Sequence, residues 1–167
     1  MREETRSIPV CQNSECGFVF WQNSKPCASV VIMDNKGLVL MTVRAHEPDK
    51  GKWDLPGGFL LEGEHPDAGA KREAKEELGV DIEIIGRLGF VMDVYGDTGE
   101  HTLNIGFVAM IKSGTPLAAD DAESLKWIDP KNVDPSRLAF TNNEKFLQLF
   151  LDWRSVEKPT KTDILLQ

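Results

Sequence analysis

Apolar residues along this chain follow two periods, and the switches between them mark out its elements. Ala28 to Met33 is rich in β-branched residues and predicts a buried strand. Asp34-Asn35-Lys36-Gly37 supplies turn chemistry, and Leu38 to Arg44 predicts a second strand, so the two should form a hairpin. Phe18 to Trp21 predicts a short edge strand, and His46 to Lys52 a polar loop. Trp53-Asp54-Leu55 then leads into a sharp turn at Pro56-Gly57-Gly58. Val80 to Ile85 and Leu88 to Val94 read as one long bent strand with bulges at Gly86 and Gly89. After a turn at residues 97–100 come a strand from Thr102 to Ile111 and a short one from Ser124 to Ile128.

Helical spacing appears twice. Pro66 to Leu78 has proline in its first turn, Asp67 at the positive end of the helix dipole and Gly79 just past the last turn. Ala70, Ala74 and Leu78 form a narrow apolar stripe, small enough for close approach to a sheet. Asn142 to Trp153 places Phe146, Leu147, Phe150 and Leu151 on one face. Strands with two helices between them predict an α/β domain, and the hairpins make its sheet mixed. We divide the chain into an N-terminal extension at 1–25, a domain at 26–156 and a tail at 157–167. The tail's Ile164-Leu165-Leu166 is an apolar triplet able to dock on a partner.

Composition narrows the function. A chain of 167 residues with 41% hydrophobic and 28% charged residues suits one soluble globular domain. No run is long enough to span a membrane, and MREETRSIPV lacks the apolar stretch of a signal peptide, so a cytoplasmic protein is expected. The formal charge of −8 argues against a nucleic-acid groove. It would also repel a phosphate-bearing substrate unless a bound cation intervened. Cys11, Cys16 and Cys27 are too few for a four-ligand zinc site, and reduced thiols are expected.

One segment is built against its own electrostatics. Glu73, Glu76 and Glu77 share a helix face at i, i+3 and i+4, where like charges cost roughly 0.2–0.5 kcal/mol per pair. Glu76 and Glu77 also crowd the negative end of the helix dipole. A divalent cation is the natural missing partner.

Gly58, Glu64 and the run Arg72-Glu73-Ala74-Lys75-Glu76-Glu77-Leu78-Gly79-Val80, in that spacing, resemble the Nudix box at every fixed position. Trp53-Asp54-Leu55-Pro56-Gly57 resembles the family's lead-in. The resemblance implies an α/β/α sandwich and hydrolysis of a nucleoside diphosphate linked to another group, with Mg2+ or Mn2+. By motif position, Glu73, Glu76, Glu77 and the carbonyl of Gly58 would hold metal. Arg72 would orient Glu73, and Glu64 would be an outer ligand or helix-end anchor. A solvated face with an Arg72–Glu76 pair is the bland alternative, and it leaves the other glutamates unexplained.

For the general base, family members use either a box glutamate or an acid on a later loop. Among Asp120, Asp121 and Glu123 the candidate is Glu123. Arg44 could meet a phosphate, and Trp53, Phe59 and Tyr95 could stack a base. The post-box signature of NADH-cleaving members is absent. The Cys11/Cys16 segment, with Trp21 and Pro26, resembles a decayed form of the zinc ribbon preceding some of them. The substrate class implied is a dinucleotide or an ADP-ribose-like small molecule. Many relatives are dimers, which brings in a homodimer. A nucleotide-binding regulatory domain without catalysis is the alternative, although such domains often lose the box glutamates kept here.

Overall fold

The computed structural model describes residues 8–156. Its elements are β1 (Lys25–Met33), β2 (Val39–Arg44), β3 (Trp53–Asp54), β4 (Gly57–Phe59), α1 (Pro66–Leu78), β5 (Asp81–Tyr95), β6 (Glu100–Ser113), β7 (Ala122–Ile128) and α2 (Thr141–Val156). Short 3-10 turns at Pro130–Asn132 and Pro135–Arg137 precede α2. Among the described residues no helix is long and apolar enough to cross a membrane. The tail triplet at 164–166 lies outside the described residues.

The strands form one mixed sheet with the path β3-β2-β1-β6-β5, where β4 also pairs with β1 and β7 with β2. β1 and β6 run parallel, from Lys25 opposite Thr102 to Ile32 opposite Ala109, while the other pairings are antiparallel. Successive side chains on β1 point to opposite faces. Ala28, Val30 and Ile32 therefore join Ala70, Ala74 and Leu78 of α1 in one core. Val31 joins Phe146, Leu147 and Phe150 of α2 in the other. This is the expected α/β/α sandwich.

The β1–β2 hairpin forms only at its tip, with Ile32 opposite Leu40 and Met33 opposite Val39. Asp34 fixes that tip, its Oδ1 accepting from the N–H groups of Lys36 and Leu38 at 2.8 Å. Beyond it the strands separate. β2 pairs with β7, and β4 lies along the first half of β1, with Ala28 opposite Gly58. This split opens the floor of a cleft and delivers Gly57 and Gly58 to its edge.

β5 is one strand with register shifts at Ile84/Gly86 and Arg87/Gly89, the two predicted bulges. Phe18 to Trp21 does not form the predicted edge strand: pairing there is one isolated bridge between Val10 and Val19. The segment pairs with itself instead, Cys11 N donating to Phe18 O and Phe20 N to Pro9 O. α1 has the predicted ends. His65 caps it by accepting from Asp67 N, and Gly79 closes it with φ 68° and an N–H donated to Lys75 O.

Candidate active site

Arg72 stands at the centre of the acidic face of α1. Its Nε and Nη2 donate to the two oxygens of Glu64 at 2.8 and 2.9 Å. Its Nη1 donates to Glu73 Oε1 at 2.7 Å and to Glu76 Oε2 at 2.8 Å, and Nη2 also reaches the carbonyl of Phe59. One guanidinium thus holds three carboxylates and the end of β4. Arg72 hydrogen bonds, with help from Leu61 N–H, pull the Glu64 carboxyl down to about 2. Both oxygens of Glu64 thus accept from Arg72, which ties the segment before α1 to the helix.

Glu73 and Glu77 turn inward from the same helix. A Cβ added at Gly58 would lie 2.6 Å from Glu73 Oε1, so only glycine leaves room for that carboxylate. Glu77 Oε2 accepts from Gly57 N at 3.1 Å. Burial is the largest cause raising the carboxyl of Glu77 well above its ordinary range, and the negative charges of Asp54, Glu73 and Asp121 add to it. Burial also raises Glu73 against the pull of Arg72. It pushes the nearby Cys27 thiol up to about 12, with Glu73 contributing. That thiol is therefore no nucleophile.

The donor set fits a hard divalent cation: carboxylates short of positive charge, a backbone carbonyl beside them and a glycine cradle that a Cβ would fill. Among the described residues no group of three or more Cys, His, Asp or Glu side chains stands already in metal-holding geometry. Glu76 is drawn toward Arg72, so it must turn to join Glu73 and Glu77.

Beside these carboxylates lies a cleft of about 140 Å³ that reaches from Glu77 and Gly58 to Asn142 at the start of α2. Phe59, Tyr95 and Phe140 wall it. Tyr95 stacks on Phe140 with centroids 5.6 Å apart and meets Phe59 edge-on at 5.5 Å. The guanidinium of Arg44 lies 4.9 Å from the Phe140 ring centroid and donates to Asp54 Oδ2 at 2.8 Å. Asp54 Oδ1 accepts from Asn143 Nδ2 at 2.9 Å, tying β3 to α2. Burial raises the carboxyl of Asp54 despite these partners.

Of the residues expected to bind substrate, Arg44, Phe59 and Tyr95 line the cleft and Trp53 does not. Trp53 packs against the α2-side core, with Lys126 and Arg137 over its ring at 5.4 and 5.3 Å. Glu123 is likewise displaced. The register shift between Val43 and Arg44 leaves it without a partner on β2, exposed and outside the cleft. Asp121, two positions earlier, lines the cleft instead. Its loop is stapled to α1, with Leu117 N and Ala119 N donating to the terminal carbonyls of Leu78 and Glu77. Sequence reasoning passed over Asp54, Asp93 and Asn142. Only the lead-in around Trp53 hinted at Asp54. Asp93 and Asn142 meet across a separation in sequence that no local pattern records.

Comparison with known proteins agrees with this geometry. The family model for the NUDIX domain matches residues 23–150. An ADP-ribose pyrophosphatase of Methanocaldococcus jannaschii is 32% identical over 126 residues, covering 75% of this chain and 72% of that protein. A NUDIX hydrolase structure from Nitrosomonas europaea superposes with a TM-score of 0.71 at 22% identity, covering 88% of this chain and 81% of that one. The NUDIX domain of Shewanella oneidensis NrtR, solved with ADP ribose, gives a TM-score of 0.65 at 20% identity over 80% of this chain and 90% of that one.

Proposed function

This chain belongs to the Nudix family, and from that premise we propose that it is a metal-dependent pyrophosphohydrolase whose substrate is a nucleoside diphosphate linked to another group, ADP-ribose first among them. The observation that carries the reading is the carboxylate cluster on α1: Glu77 lines the cleft against Gly57, and beside it Glu73, held by Arg72, packs against Gly58. The similarity to an ADP-ribose pyrophosphatase supports the substrate class.

Gly58, Glu73, Glu76 and Glu77 would hold Mg2+ or Mn2+, with Arg72 and Glu64 fixing the helix end behind them. Bound there, the metal would offset charge on the phosphate oxygens and lower the pKa of water. Arg44 presents its cation beside Phe140 at the cleft wall, where a phosphate or ribose would pass. Asp121 takes over the role expected of Glu123: as the loop acid on the cleft, it is the group to accept a proton from the attacking water. Attack at one phosphorus forms a P–O bond and breaks the bridging P–O bond, releasing two phosphate monoesters.

Turnover is to be measured with ADP-ribose, NADH, FAD, nucleotide sugars, dinucleoside polyphosphates and nucleoside triphosphates, each with Mg2+, Mn2+ and a chelator. The expected result is metal-dependent release of AMP from ADP-ribose. Binding of ADP-ribose without turnover of any compound would instead identify a regulatory domain.

A further inference from the structure

β5 has two working faces. Past the bulge at Gly89 it pairs with β6 without a further shift, from Phe90 opposite Ile105 to Tyr95 opposite Glu100. Successive side chains point to opposite faces. Val91 turns into the α2-side core, and Asp93 and Tyr95 line the cleft. Phe90 and Met92 turn the other way, to the face on which α1 packs. There α1 covers Ile82 and Ile84 in the first half of the strand. It does not cover the second half, where Phe90 is 72% exposed and Met92 51%.

The chain before β1 lies beside this row. Phe20 to Lys25, Met92 and residues 98–101 enclose a groove of about 650 Å³. Its apolar wall is Phe20 and Trp21, 52% and 63% exposed. Phe90, two positions along the strand from Met92, projects next to it. The charges on the groove cancel: Lys25 Nζ and Glu100 Oε1 pair at 2.7 Å, and His101 is the other titratable group among the described residues that line it. Four large apolar side chains exposed to this degree present roughly 500 Å² on one face. A patch of that size is at the upper end of what monomers show and commonly marks a contact surface.

We propose that this face is the contact between two copies of the chain related by a twofold axis, with Phe90 of each copy seated in the groove of the other beside Trp21. A twofold contact uses the same patch on both sides, so the patch must carry both a projection and the hollow that receives it. Phe90 and the groove beside Met92 meet that condition. The two patches together remove roughly 1,000 Å² from water through these side chains alone, the size at which a specific interface begins. Charge favours a like partner as well. Each copy carries −8, and this patch lets two copies meet without opposing charges, because Lys25 and Glu100 neutralise each other. A strongly acidic or basic partner would find no unpaired opposite charge on it. The cleft lies on the opposite face of β5, and the inference does not depend on the hydrolase reading.

The test is sedimentation velocity of the full chain over a range of concentrations, for wild type and for Phe90→Lys, Met92→Lys and Leu117→Lys. Phe90 and Met92 are exposed in a single copy, so lysine there should leave the fold intact, which far-UV circular dichroism checks. Leu117 is exposed on the loop after β6 and serves as the control. Wild type and Leu117→Lys should sediment as dimers, and Phe90→Lys and Met92→Lys should each weaken association by about thirtyfold or more. Phe90→Leu, which keeps an apolar projection, should restore much of it. A wild type that is monomeric at every concentration would overturn the proposal. So would dimers that survive both lysine substitutions on β5, since the contact would then lie elsewhere. A monomeric wild type whose melting temperature falls on Phe90→Lys would assign the patch to the chain's own residues outside 8–156, and overturns it as well. The hydrolase reading fails separately: a dimer that turns over no nucleotide would remove that reading and keep this one, and an active monomer would do the reverse.

Discussion

Gly58 and Glu73 occupy space that only one of them could fill if residue 58 carried a side chain: an added Cβ would lie 2.6 Å from Glu73 Oε1. The contact joins β4 to α1 and fixes where the carboxylate points. Gly58→Ala should therefore displace Glu73 and lower kcat by about tenfold or more. The melting temperature should move by only a few degrees, since the clash falls on one flexible glutamate. Steady-state kinetics and thermal melts of the same preparation check this, and a variant with wild-type kcat would refute it.

Burial and its acidic neighbours hold Glu77 well above the ordinary value of 4.5 in the folded chain. The folded state thus binds this proton more tightly than the unfolded state. Stability from Glu77 is full below about pH 4.5 and is lost as pH rises through the folded value. Glu64 runs the other way: its carboxyl is lowered to about 2, so its contribution is present above 4.5 and lost as pH falls toward 2. In metal-free protein Glu77→Gln should melt higher than wild type at neutral pH, and the two should converge in mild acid. The same variant should lose about a hundredfold or more in turnover. Melts across pH with a chelator, then with Mg2+, read both effects.

Arg72 makes hydrogen bonds to Glu64, Glu73, Glu76 and the carbonyl of Phe59 through one planar group. Lysine keeps the charge but lacks the fork. Arg72→Lys should lower kcat by about ten- to a hundredfold and also destabilise the α1 end, because Glu64 and Glu73 lose their shared partner. Kinetics together with denaturant midpoints distinguish this from a loss of charge alone: an Arg72→Lys variant that behaves like wild type would show that charge suffices.

Tyr95 and Trp53 part company despite similar chemistry. Tyr95 stacks on Phe140 inside the cleft, while Trp53 packs with the α2-side core. Tyr95→Ala should raise KM for ADP-ribose by about five- to a hundredfold with a smaller change in kcat. Trp53→Phe should leave KM within about twofold and lower the melting temperature. Saturation kinetics of the two variants decide the matter, and the reverse pattern would return Trp53 to the site.

Asp121 lines the cleft and Glu123 does not. Asp121→Asn should cut kcat by about a hundredfold with little change in KM, while Glu123→Gln should be near wild type. Comparable losses in both would show that the loop moves in solution.

Much of this was legible from local pattern. α1 runs from Pro66 to Leu78 as its proline, acidic first turn and terminal glycine require. Two of the three register shifts of β5 fall at Gly86 and Gly89, where a residue without Cβ weakens the ladder. Clustered glutamates beside Gly58 pointed to a missing cation because charge spacing along a helix is a local property. The misplaced residues share one cause. Trp53 and Glu123 were placed by proximity in sequence, and both face away because of pairing that sequence distance does not reveal. Trp53 faces the α2 core from a two-residue strand, and Glu123 falls at a register shift between β7 and β2.

The sequence by itself determined the elements, the sandwich class and the chemistry of α1, because helix spacing, caps and like-charge crowding act over a few residues. Tertiary structure alone decided the cleft. The early parting of β1 and β2, the docking of α2 through Asn143 on Asp54, and the loop fastened to the end of α1 bring Asp93, Asp121 and Asn142 into one space. Those contacts span much of the chain, and their positions follow from how two helices pack on a split sheet.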